Sequence, residues 1–187
     1  MIFAITVHEA AHGWVAKKLG DHTAWLQGRI TLNPVKHIDL WGTIVIPILL
    51  LVTAGFALGW AKPVPVNFSN LRNPRRDSML VAAAGPTSNL LMAIAWSSIL
   101  LVPGLGLINQ MAYAGVMINL FLMAFNLLPI LPLDGGRVLQ SLLPYHLAYK
   151  FGQLEPYGMF IVLALVMTNI STILINPVVK TIAGVLI

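Results

Sequence analysis

The chain has 187 residues, 58% of them hydrophobic and only 9% charged, with a formal net charge of +5, no cysteine and a mean hydropathy of +0.84. Soluble domains ordinarily carry about 25% charged residues, so this composition excludes a water-soluble globular enzyme, and the lack of cysteine excludes disulfides and thiolate metal ligands. The bases lie between apolar runs rather than in one patch, which argues against nucleic-acid binding and matches positive residues at the ends of membrane segments.

With no evident linker, residues 1–187 read as a single domain. Met1 to Leu19 reads as a helix ending in Lys17-Lys18, with Gly20 as its C-cap. Met1 to Val7 has no basic n-region and is too short for a signal peptide. Seven residues before His8 are also fewer than the roughly 20 of a full span, so the first helix is expected to start at mid-membrane or, preferably, to lack an N-terminal part. Trp25 to Leu32 reads as a short strand or hairpin closed by Asn33-Pro34. Leu40 to Ala61 is uncharged and long enough to span, but Gly42, Pro47, Gly55 and Gly59 interrupt it. Lys62 to Arg76 is a basic, proline-containing loop. Ser78 to Val102 is a clear span, Met111 to Leu128 a second and Pro156 to Ile175 a third; Gly135 to Leu143 reads as a short helix and Val178 to Ile187 as an apolar tail.

The segment 40–61 decides the topology. If it crossed the bilayer, Lys17, Lys18, Arg29 and Lys36 would lie opposite Lys62, Arg72, Arg75 and Arg76, against the rule that cytoplasmic loops collect the bases. If it re-enters on one face, all of these and Arg137 and Lys150 share one side. Non-helical backbone is tolerated at membrane depth where protein buries it, and a re-entrant element is expected.

The chemistry is concentrated in His8-Glu9-Ala10-Ala11-His12. Histidines four apart share one helix face, so both rings can address one ion, and the glutamate beside the first can reach a water there; this is the HExxH spacing of zinc hydrolases. A catalytic zinc takes three protein ligands and leaves a fourth position for water. Among the remaining acids and histidines Asp134 stands out, because it follows a membrane span within Asn126-Leu-Leu-Pro-Ile-Leu-Pro-Leu-Asp134-Gly135-Gly136 and an acid there is costly unless functional. With a re-entrant 40–61, Asp134 returns to the face that carries the histidines. Zinc would then activate a water whose proton Glu9 accepts. Helix capping by Asp134 is the bland alternative. His22, His37 and His146 read as solvated or capping groups.

HExxH, Gly85-Pro86-Thr87-Ser88-Asn89 in the middle span, and Asn126-x-x-Pro129-x-x-Pro132-x-Asp134-Gly135 together resemble the site-2 protease family of intramembrane zinc metalloproteases, in the family's order and over most of the chain. The resemblance implies one Zn²⁺ on His8, His12 and Asp134, Glu9 as the catalytic base, and Asn126 holding the substrate backbone or oxyanion. It also implies that part of 25–60 is a membrane-embedded β-element offering an edge to an extended substrate strand. Only about eight residues, Pro103 to Gln110, join the central spans, which leaves no room for the PDZ domain of some bacterial relatives. Asn89 reads as an interhelical hydrogen bond, and Asn126 has the same bland alternative.

The expected fold is therefore an all-α polytopic membrane protein: a bundle of about four to six transmembrane segments with a small re-entrant or β element. The expected activity is hydrolysis of peptide bonds in or near transmembrane segments of protein substrates. The expected location is a bacterial or archaeal cell membrane, multi-pass, with the site towards the cytoplasm and no nucleic-acid partner. The alternatives are an idle homologue that binds membrane proteins and, more remotely, a metal transporter.

Overall fold

The computed structural model describes residues 1–55 and 59–187, and every regular element among them is helical. The helices are α1 (Ile2–Lys18), α2 (Thr23–Leu26), α3 (Ile46–Ala54), α4 (Pro74–Leu100), α5 (Leu107–Asn126), α6 (Asp134–Leu142), α7 (Tyr145–Gly152), α8 (Glu155–Met167) and α9 (Ile170–Leu186). Short 3-10 turns cover Pro34–His37 and Phe68–Asn70, and a π-helical turn, Leu40–Val45, runs directly into α3.

Local chemistry sets the boundaries. α1 closes where Gly20 takes φ +116°, which lets the Asp21 and Gly20 N–H groups return to the carbonyls of Ala16 and Lys17. α4 opens with Pro74 in its first turn, and the Asp77 carboxylate reaches back to the Asn73 N–H. The α4–α5 turn uses Gly104 and Gly106, both at positive φ. The main core joins α4, α5 and α9 through Ala93, Val116, Leu120, Met123, Ile175 and Val179. A smaller cluster of Ala16, Leu71 and Val81 packs the end of α1 on the start of α4.

Among the described residues two helices, α4 and α5, are long and apolar enough to cross a membrane; the α8–α9 pair, bent by 78°, would make three if it is one broken span. The described residues are thus all-helical, with two or three candidate spans by length and composition set against the four to six expected. α1 has 17 residues, short of a full span. The expected span 156–175 breaks at Thr168-Asn169, where Asn169 adopts φ 57°, a left-handed conformation that asparagine tolerates. The expected tail 178–187 is the second half of α9, which continues past Pro177.

Among the described residues there is no strand, so the expected strand at 25–32 and the β-edge within 25–60 are not present there. Short acceptor side chains favour turns around this stretch: Asp21 takes the Thr23 N–H at the start of α2, Asn33 the Val35 N–H and Asp39 the Gly42 N–H. Residues 56–58 of the expected membrane segment lie outside the described residues. The two ends of that segment meet: the Trp60 N–H donates to Gly42 O at 3.0 Å, the Thr43 hydroxyl to Trp60 O at 2.9 Å, and the Lys62 N–H to His37 O at 2.9 Å.

Candidate metal centre

α1 places His8 and His12 one turn apart against α4, and α6 begins at Asp134 opposite them. The His8 Nε2 is 3.2 Å from Asp134 Oδ2, the His12 Nε2 3.3 Å from Asp134 Oδ1, and the two Nε2 atoms are 3.1 Å apart. Each ring is held from behind: His8 Nδ1 lies 2.6 Å from Asn89 Oδ1, and His12 Nδ1 lies 2.7 Å from the carbonyl of Val81. Both of these partners are acceptors, which holds a proton on each Nδ1 and leaves each Nε2 as the atom that can offer a lone pair to a cation beside the carboxylate.

Three acceptor atoms this close repel one another unless a cation sits among them. Asp134 Oδ2 is buried with no hydrogen-bond donor, an orphan that calls for such a partner. The three residues can each offer one ligand atom, all within 4.8 Å of one another. Tetrahedral zinc with bonds of about 2.0–2.1 Å sets its ligands about 3.3 Å apart, and the observed separations of 3.1, 3.2 and 3.3 Å fit that spacing.

Glycines make this approach possible. A Cβ on Gly85 would run into the facing edges of both imidazoles, and one on Gly135 or Gly136 would strike the backbone of Leu127, Leu128 and Ile130. Neither Gly135 nor Gly136 has a positive φ; their role is to let the proline-bearing loop 127–132 fold down onto the start of α6. Asp134 is itself the first residue of α6 and makes no capping hydrogen bond, which disposes of the bland capping reading.

The remaining expected residues, Glu9 and Asn126, line one cleft of about 360 Å³ with His8, His12 and Asp134, and the irregular run Pro63, Val64 and Val66 lines it too. One oxygen of Glu9, Oε2, accepts the Val64 N–H at 2.8 Å, which holds the carboxylate at the cleft it lines. Asn126 donates one amide hydrogen to Leu122 O at 2.9 Å on its own helix, so the interhelical alternative is not what forms. Asn89 does bridge helices, through Asn119 on α5 at 3.0 Å, but it also holds a candidate ligand. His22 and His146 are exposed, whereas His37, expected at a solvated position, is only 3% exposed and binds Thr31 O. Asn119, Gly85, Val81 and Val64 were not singled out as site residues by the sequence. Only Asn119 carried a usable signal, a polar amide within an apolar span.

The family model of peptidase family M50 matches residues 102–169, which include the Asn126 and Asp134 half of the site. YwhC of Bacillus subtilis (strain 168), named as a zinc metalloprotease, is 41% identical over 187 residues, covering 95% of this chain and 82% of that protein. Rip2 of Mycobacterium tuberculosis (strain ATCC 25618 / H37Rv), also named as a zinc metalloprotease, is 32% identical over 146 residues, 74% of this chain and 54% of its own length. Zinc metalloprotease MJ0392 of Methanocaldococcus jannaschii is 24% identical over 159 residues, 83% of this chain and 35% of the relative. No solved structure matches the chain.

Proposed function

The chain belongs to peptidase family M50 and is a site-2-protease-like zinc metalloprotease; from that premise we propose that it cleaves peptide bonds in or near transmembrane segments, at a zinc held by His8, His12 and Asp134. The observation that carries the ligand assignment is the meeting of two imidazole lone pairs with a buried carboxylate oxygen that has no other partner.

Zinc bound there supplies a Lewis acid that sharpens a water as nucleophile and polarises the scissile carbonyl. The chain's own residues do the rest. Glu9, pinned through Oε2 by the Val64 N–H, lines the cleft, takes the proton of the attacking water and returns it to the departing amine. Asn126 has its amide plane fixed by Leu122 O and keeps a second N–H to offer to a substrate carbonyl or its developing negative charge. Val81, Ala82, Val64 and Leu133 give the cleft an apolar wall suited to a hydrophobic peptide.

Depth supports action within the bilayer. Gly85, which touches both imidazoles, lies seven residues beyond Ser78 on α4, about 10 Å along the helix. A hydrocarbon core is about 30 Å thick, so the site falls inside it, nearer the end where Lys17, Lys18, Arg72, Arg75 and Arg76 gather. The Arg72 N–H bonded to Leu19 O keeps the basic ends of α1 and α4 together, and by the positive-inside rule that end is cytoplasmic. The contact of Trp60 with Gly42 supports a re-entrant segment 40–61.

The test is cleavage of a model transmembrane peptide by the purified protein in detergent, with bound zinc quantified, for wild type and Glu9→Gln side by side. Cleavage by wild type only, with zinc in both, is the expected result. Cleavage by Glu9→Gln would remove Glu9 as the base, and absence of zinc from both would remove the ligand assignment.

A further inference from the structure

We propose that Asn119 and Asn89 form a hydrogen-bond chain of fixed polarity that locks His8 in its metal-binding tautomer. The proposal rests on the reading of His8 as a zinc ligand. The chain starts at a group that cannot be reversed: Gly115 O, a backbone carbonyl on α5, can only accept. It receives the Asn119 Nδ2–H at 2.8 Å. That turns Asn119 Oδ1 towards α4, where it accepts the Asn89 Nδ2–H at 3.0 Å. Asn89 Oδ1 is then left facing His8 Nδ1 at 2.6 Å, so the ring proton must sit on Nδ1 and the lone pair on Nε2, which points at His12 and Asp134.

Burial gives the chain its force. Asn89 is 0% exposed, Asn119 2% and His8 6%, so no solvent is at hand to satisfy a reversed amide. Turning Asn119 over would set oxygen against oxygen at Gly115, and turning Asn89 over would set its oxygen against Asn119 Oδ1; each leaves a buried polar group unpaired. His12 needs no such chain, because its Nδ1 meets the Val81 carbonyl directly. The two imidazoles are thus fixed by backbone carbonyls on α5 and α4, one through two amides and one directly. Asn119 touches no candidate ligand and does not line the cleft. It acts through Asn89 as a positioning residue, and through it the packing of α4 on α5 reaches the imidazole on α1.

The experiment uses protein labelled with ¹⁵N-histidine in detergent micelles, metal-free and zinc-titrated. Ring-nitrogen shifts should show Nδ1 of both His8 and His12 protonated in the metal-free wild type. In Asn119→Leu, which frees Asn89 to turn over, His8 should populate Nε2–H while His12 is unchanged, and zinc affinity should fall about 10- to 100-fold, the usual scale for lost outer-shell partners. If Asn119→Leu does not fold, Asn119→Ser carries the same expectation, since its hydroxyl reaches the carbonyl four residues back but falls short of Asn89. An unchanged His8 tautomer with unchanged zinc affinity would overturn the proposal. So would an equal disturbance of both histidines, which marks general loosening of the bundle. A wild-type protein that binds no zinc would reject the ligand reading, while the metal-free spectra would still decide the tautomer lock.

Discussion

Gly85 lies against the imidazole of His8: a Cβ built on it would stand 2.5 Å from His8 Cε1 and 2.6 Å from His8 Nε2, and would also overlap His12 Nε2. The missing side chain is therefore part of the site, since it is what allows α1 to press two rings against α4. Gly85→Ala is expected to push the rings off their common point, lowering zinc affinity at least ~10-fold, in line with other changes around ligands, and lowering stability by about 1–3 kcal/mol through overpacking. Zinc titration of the purified variant checks this, and wild-type affinity would show that the rings have room to shift.

Metal removal should be felt as stability. Without a cation, the Nε2 atoms of His8 and His12, 3.1 Å apart, and the Asp134 carboxylate repel one another within a buried site. A ligand that binds only the folded state at 100 times its Kd stabilises by about 2.7 kcal/mol, so chelation should lower Tm and added zinc should restore it. Glu9→Gln should retain this response in full, and Asp134→Ala should lose it. A chelator-insensitive Tm in wild type would count against a zinc bound by these three residues.

Much of the site was legible because its chemistry is written in spacing and cost. His8 and His12 share a helix face by their separation, and Asp134 was conspicuous as an acid in an apolar setting. The parts that stayed hidden depend on partners far away in the chain or on backbone atoms. Nothing in the sequence pairs Asn119 with Asn89, and the Val64 N–H that holds Glu9 has no residue signature. The first residues of the strand expected at 25–32 belong instead to α2, whose start Asp21 holds through Thr23. The uncharged run 156–175 read as one span although Thr168-Asn169 lies within it, where the left-handed Asn169 divides α8 from α9.

Asp21 predicts a pH effect outside the membrane segments. Its side chain is fully buried and ties α2 to the loop before α4. Burial opposes its ionisation, but bonds from the Thr23 hydroxyl, the Asn70 amide and the N–H groups of Asn67 and Thr23 outweigh that and hold its pKa below the ordinary 3.8. With the folded value depressed, its stabilisation is complete above the ordinary value and fades as pH falls through the folded one. Wild type should therefore lose Tm below about pH 4, the ordinary Asp range, more steeply than Asp21→Asn, which should start from a lower Tm at neutral pH. Parallel melting curves across pH check this; identical slopes would remove Asp21 as a source of acid sensitivity.

The absence of native cysteine gives a clean background for testing the re-entrant segment. The Lys62 N–H is bonded to His37 O and the Trp60 N–H to Gly42 O, so the chain leaves the segment where it entered it. Lys36 and Lys62 are then on one side, and with Lys17, Lys18, Arg72, Arg75 and Arg76 they make that side the basic one, which the positive-inside rule assigns to the cytoplasm. Lys36→Cys and Lys62→Cys, tested singly, should both react with an impermeant maleimide in inside-out vesicles and both be protected in intact cells. Labelling from opposite sides would make 40–61 a true span. Asp134 would then be carried to the face opposite His8 and His12, roughly a 30 Å core away, and neither the re-entrant topology nor the three-residue zinc site would survive.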